Sequence, residues 1–207
     1  MVWKIREVWT KLVKDIETDH HALMASRTGA GSADGESRSM SSLLLTDPGL
    51  QSLAAIRLMH FARDSGIPKG GELVSRLIRY VYGMEVHWLA EMAEGMVIEH
   101  GPGLVISKSA RIGPNCILSQ HVTLGDMRDP KTGVSGAPTL ENDVYVGPGS
   151  ILLGPITIGA HARILAGCVV SESVPPHATV TPATSQLQSR RKKSPDSAGL
   201  KKSQKRA

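Results

Sequence analysis

Apolar residues follow two different periods along the chain, and the change falls near Gly83. Val2, Ile5, Val8, Trp9, Leu12, Val13 and Ile16 recur at helical spacing and predict an amphipathic helix over residues 2–18. A second helical pattern covers about 49–64, with Leu50, Leu53, Ile56, Leu58 and Phe61 on its apolar side. A third covers about 72–82 through Val74, Leu77, Ile78 and Val81. The Gly- and Ser-rich stretch 26–39 reads as a loop, and Gly66, Pro68, Gly70 and Gly71 break the chain. Residues 1–83 are therefore expected to form a small helical N-terminal domain.

Beyond Gly83 an aliphatic residue recurs every sixth position: Val86, Met92 and Ile98, then Ile106, Ile112, Leu118 and Leu124, then Leu140, Val146, Leu152, Ile158, Ile164 and Val170. Four residues after most of these comes a small or β-branched residue, among them Ala110, Cys116, Val144, Ala162 and Cys168. Glycine recurs one residue after, at 113, 125, 147 and 159. A period of six is neither helical nor simply alternating. It is the hexapeptide repeat of a parallel β-helix, in which three short strands make one triangular coil and the aliphatic residue points inward from each side. About twelve such hexads make roughly four coils. The expected fold is α+β: the helical domain, a left-handed parallel β-helix over 84–182, and a tail over 183–207. Residues 125–139, GDMRDPKTGVSGAPT, interrupt the repeat, which resumes at Leu140. An insertion that leaves a rigid coil and returns is a protruding loop of the kind that lines sites.

Composition sharpens this picture. Aromatics are only 3% of the 207 residues, so the core must be filled by Ile, Leu, Val and Ala, which suits narrow uniform coils. The net charge of +5 belongs to the tail, where residues 189–207 hold eight bases and one acid. The remainder is slightly acidic, so no nucleic-acid partner is expected, and the tail reads as disordered and solvated. Cys116 and Cys168 fall on small inward positions and read as structural fillers; no C-x-x-C or histidine spacing suggests a metal. The N-terminal MVWKIREVWTKLVKD carries charges throughout and has no apolar run of signal type. No segment approaches the ~20 apolar residues that span a bilayer. A cytoplasmic protein without an integral membrane segment is expected.

Several segments carry a resemblance to one family. GMEVHWLAEMAEGMVIEHGPGLVIS (83–107), HVTLG (121–125), LGPITIGAHARILAGCVV (153–170), SVPPHAT (173–179) and LQSLAAIRLMHFA (50–62), with Arg57 and His60, resemble the serine O-acetyltransferases over about residues 47–180. The resemblance implies an acetyl-CoA-dependent O-acetyltransferase. It also implies a homotrimer that can pair into a dimer of trimers, with acetyl-CoA as co-substrate in a groove between coils and no metal. It implies His100 as general base and Glu85 as the carboxylate that orients it; Glu99 would help hold the acceptor. Asp34 would receive the serine ammonium, with Asp19 as its rival. Gly125, Ala137, Gly149 and Gly167 would line the coenzyme groove. The chemistry suits those residue types. An alcohol attacks a thioester poorly, and an imidazole taking its proton during attack typically contributes about 10²–10⁴-fold.

The sequence also departs from the family. An Arg-His-Pro that binds the serine carboxylate is here Gly136-Ala137-Pro138, and a Gly-Glu-Thr is Ser107-Lys108-Ser109. A Gly-Gly-Thr-Gly is Gly125-Asp126-Met127-Arg128. Arg128 and Lys131 are candidates to replace the missing cation. Two acceptors stay open: L-serine, giving O-acetylserine in cysteine biosynthesis, and a sugar hydroxyl of an exopolysaccharide, which needs no carboxylate clamp. A third reading is a non-catalytic scaffold. The family C-terminus that docks into a partner enzyme ends in Ile, whereas Lys205-Arg206-Ala207 stand here, so that docking is not expected.

Overall fold

The computed structural model describes residues 2–29, 39–130 and 132–183; Asp34, Lys131 and the basic residues of the tail lie outside them. Helix α1 spans Val2–Gly29, longer than the expected 2–18, and includes part of the stretch read as a loop. Helices α2 (Met40–Thr46), α3 (Pro48–Asp64) and α4 (Gly70–Tyr82) follow. Asp47 separates α2 from α3 by serving both. Its N–H closes α2 on the Leu43 carbonyl at 2.7 Å, and its carboxylate caps α3 by accepting from Leu50 N at 2.8 Å, with Pro48 in the first turn. α4 ends at Gly83, whose φ of 63° is the left-handed stop that glycine supplies most readily.

Short parallel strands then build three faces. Face A stacks β1 (Glu85–Val86), β4 (Val105–Ile106), β7 (Thr123–Gly125), β12 (Ile151–Leu153) and β15 (Val169–Val170). Face B stacks β2 (Glu91–Met92), β5 (Arg111–Ile112), β10 (Thr139–Leu140) and β13 (Thr157–Ile158). Face C stacks β3 (Val97–Glu99), β6 (Ile117–Ser119), β11 (Tyr145–Val146), β14 (Arg163–Ile164) and β16 (Thr179–Val180). Faces A and C each hold five strands, so the prism has five coils rather than four. The added coil comes from the segment after Val170, which touches face B only through the bridge Ile158↔Val174 and pairs on face C through β16. The inward residues Val86, Ile98, Ile106, Leu118, Leu124, Leu140, Val146, Leu152, Ile158 and Ile164 are buried in register above one another. Cys116 and Cys168 are free and buried among them, and burial pushes the Cys116 thiol up to about 11.

The insertion forms an antiparallel hairpin, β8 (Met127–Arg128) with β9 (Ser135–Gly136), leaving the prism at the corner between faces A and B. The other corners turn through left-handed backbone. One column carries His100, Gly103, His121, Gly149 and Gly167; another carries Gly95, Asn115, Asp143, His161 and His177, all with positive φ. Asn, Asp and His are the side chains that tolerate this region best. In the second column the His161 and His177 rings stack at 4.8 Å.

The helices are not a separate body. Leu53, Ile56, Met59 and Ile78 share one continuous core with Met84, Val86 and the inward residues of the coils. Leu23, Leu43 and Leu50 cover Val97, the outward residue of β3. A buried clamp fixes this arrangement. Arg57 is paired with Asp19 of α1 through Nε at 2.8 Å and Nη2 at 2.9 Å, and donates to the Met92 and Ala93 carbonyls at 2.8 and 2.6 Å. Asp19 also accepts from Met96 N at 2.9 Å. α4 departs from expectation: it buries Gly71 and Ile78, while Leu73, Leu77, Tyr80 and Val81 are exposed.

Candidate active site

His100 stands at the corner where face C of the first coil turns into face A of the second. Its φ is 54°, and the side chain is exposed. The turn is closely packed from both sides. Below, Gly103 N donates to Gly83 O at 2.8 Å, Glu85 N donates to Leu104 O at 2.8 Å, and a Cβ added at Gly101 would lie 2.5 Å from Met84 Sδ. Above, His121 N donates to Pro102 O at 3.1 Å, and a Cβ at Gly103 would lie 2.1 Å from His121 Nδ1. Gly103 is therefore required by a neighbouring ring as well as by its backbone. On the open side, α3 begins so close to β3 that a Cβ at Gly49 would lie 2.2 Å from the Ile98 carbonyl oxygen. The imidazole is thus carried on a turn whose position is set by contacts from three sides.

The carboxylates sort themselves by environment. Glu99 is half-buried at the end of β3 and accepts from Ser119 Oγ of the next coil at 3.4 Å. Glu85 lies at the foot of the His100 corner, but its carboxylate is paired with Arg79 of α4 at 2.5 Å, with both side chains more than half exposed. No ion pair or hydrogen bond joins Glu85 to His100 among the described residues. Asp19 is fully buried with both oxygens engaged by Arg57 and Met96 N, so it is closed to an outside ligand. Asp34 lies outside the described residues. Asp47 is a carboxylate the sequence reading missed. It caps α3 two residues before the close approach of Gly49 to Ile98, and it pairs with Arg27. His87 has a local role: its Nδ1 accepts from Leu89 N at 3.1 Å and its ring stacks on Trp88.

The four groove positions do not converge within one chain. Gly125 and Ala137 sit at the hairpin corner, where a Cβ on Gly125 would lie 2.7 Å from Leu153 Cδ2. Gly149 and Gly167 sit in the His100 column, with nothing near an added Cβ. Gly149 N donates to Gln120 O and Gly167 N to Pro148 O, so these turns continue the column upward from His121. Arg128 turns back into the hairpin, its Nε donating to Gly133 O at 3.1 Å. Among the described residues no three His, Cys, Asp or Glu side chains are placed to hold a metal ion, and no helix is long and apolar enough to cross a membrane.

Comparisons with known proteins give the family. Residues 137–172 match the family model described as bacterial transferase hexapeptide (six repeats). The serine acetyltransferase of Helicobacter pylori is 34% identical over 150 residues, covering 72% of this chain and 86% of that one. The chain belongs to the serine acetyltransferase family. The Synechococcus elongatus serine acetyltransferase is 40% identical over 147 residues, covering 71% of this chain and 59% of that one. The chain therefore spans less than two thirds of that relative's length. The crystal structure of Neisseria gonorrhoeae serine acetyltransferase in complex with serine superposes with a TM-score of 0.72 at 28% identity, covering 86% of this chain and 69% of that one. Against this family, Gly136 and Ala137 stand where the sequence comparison expected Arg and His. A Cβ added at Gly136 would lie 3.1 Å from Pro155 Cβ, a tight contact that Pro155 would have to relieve by a few tenths of an ångström.

Proposed function

We propose that this chain transfers the acetyl group of acetyl-CoA to the hydroxyl of L-serine, with His100 as general base. The observation that carries the reading is the exposed imidazole on a turn pinned by Gly83, His121 and α3, in a chain of the serine acetyltransferase family. In the reaction the imidazole takes the hydroxyl proton as the oxygen attacks the thioester carbonyl carbon. The tetrahedral intermediate collapses by breaking the C–S bond, and the imidazolium returns its proton to the departing thiolate. Glu85, once released from Arg79, would orient the imidazolium, and Glu99, which accepts from Ser119, would help hold the acceptor. Exposed Gly149 and Gly167 leave room in the His100 column for the coenzyme.

The working form is a homotrimer, in which Gly125 and Ala137 would reach the groove from a neighbouring copy's corner. A dimer of trimers is the further possibility. The unpaired, buried thiols suit a reducing, cytoplasmic setting. A second acceptor class, a sugar hydroxyl, is favoured by one observation: no basic side chain stands at Gly136-Ala137.

Thiol release from acetyl-CoA tests the proposal, with L-serine set against neutral sugars as acceptor. His100→Asn keeps the left-handed turn and is expected to lower turnover about 10²–10⁴-fold. Turnover unchanged by that substitution would remove His100 from the mechanism.

A further inference from the structure

Beneath the hairpin, at the corner between faces A and B, lies a cavity of about 300 Å³ that the proposed chemistry has not used. Lys108, Ser109 and Arg111 of the second coil form one wall; Gly136 and Ala137, where the hairpin rejoins the prism, form another. Its rim is fixed. Asp126 N donates to Ser107 Oγ at 3.1 Å, and the Ser109 hydroxyl hydrogen-bonds the Asp126 carboxylate. The lining carries two cations and one anion. Arg111 is engaged with Glu91 at 3.3 Å, while Lys108 makes no ion pair among the described residues. Asp126, just outside the lining, has its charge directed to Ser109. The opposite wall supplies no base: Gly136 and the buried Ala137 stand there, and a Cβ at Gly136 would lie 3.1 Å from Pro155 Cβ. Among the described residues that line the cavity, the one charge without an opposite partner is therefore the Lys108 ammonium.

We propose that this cavity is an anion subsite in which Lys108 binds the carboxylate of the acceptor. The inference rests on the acetyltransferase reading above and narrows it to amino-acid acceptors, with the cation moved from the hairpin to the coil below. Within one chain, the Lys108 and His100 corners stand at opposite ends of face A. An acceptor as short as serine therefore meets Lys108 of one copy and His100 of a neighbouring copy. The shared chemistry is an anionic oxygen group, and the phosphates of CoA are the other source of one in this reaction.

Steady-state kinetics separate the two. A lost charge-assisted hydrogen bond corresponds to about a ten- to hundredfold change. Lys108→Met is expected to raise the KM for L-serine by that factor, with kcat and the KM for acetyl-CoA within twofold of wild type, and Lys108→Arg to recover most of it. Because Lys108 is exposed, both variants should melt with the wild type. An increase confined to the KM for acetyl-CoA overturns the acceptor assignment and gives the subsite to a phosphate. Both KM values within twofold overturn the subsite itself, provided the wild type acetylates serine. A wild type that acetylates sugars and not serine sinks the serine reading instead.

Discussion

Replacing Asp19 with leucine is expected to destabilise the protein by about 3–5 kcal/mol, the range for stranding one partner of a buried ion pair. The size follows from the clamp. Asp19 is 0% and Arg57 2% exposed, so no water can take over from the lost carboxylate. The guanidinium would keep only the Met92 and Ala93 carbonyls, and Met96 N would lose its acceptor. An orphaned buried donor alone costs about 1–3 kcal/mol. Against a typical total of about 5–15 kcal/mol, the change is large. Asp19→Leu combined with Arg57→Met removes both charges and should recover a good part of the loss, so the two single effects should not add. Urea unfolding followed by circular dichroism, at one fixed protein concentration, measures all three variants. A loss below about 1 kcal/mol for Asp19→Leu, or strict additivity in the double variant, would refute the account of the clamp as a coupled buried pair.

Two further outcomes follow from other parts of the helical layer. Burial, then the nearby Arg63 and Arg57 cations, lowers the His60 pKa to about 3, and its Nε2 has no hydrogen-bond partner. The unfolded chain binds the proton first, so this contribution is whole above the ordinary value of 6.5 and declines as pH falls toward 3. Between pH 7 and 4.5 it should amount to about 2.5 kcal/mol, and His60→Leu should flatten the wild-type unfolding curve by that much. Gly49→Ala drives a Cβ into the Ile98 carbonyl and should cost about 1–3 kcal/mol. It should also lower turnover, because Glu99 and His100 follow Ile98 directly. A variant with wild-type melting and kcat would show that α3 does not set the turn.

The prism was legible because its inward positions keep a period of six within each of three long runs. Ile106, Leu124 and Leu152 are six-period residues in the sequence and vertical neighbours in face A. The fifth coil was harder to see, because after Val170 the chain touches face B only at Val174. α2 escaped notice since seven residues hold too little of a helical period to register. Leu77 and Val81 fit a helical stripe, yet α4 turns Ile78 inward; periodicity finds a face without telling which neighbour covers it. The candidate site can be read from the sequence only as separate residues, not as an arrangement. His100 and Glu99 are consecutive, but Arg79 reaching Glu85 depends on how Gly83 swings α4 onto the first coil. Asp47 was missed because the approach of Gly49, two residues on, to Ile98 is a property of packing. That Gly125 and Ala137 stand at a different corner from Gly149 and Gly167 follows only from the stacking of the coils.

The corner columns bear on how such proteins diverge. At these turns the scaffold already asks for a residue content with positive φ, and the chain answers with histidine or asparagine as readily as with glycine. An imidazole at position 100 therefore places little demand on the architecture beneath it. Reactivity at such a vertex can be gained, lost or moved to the next storey by a single codon change, while the shaft that carries it stays as it was.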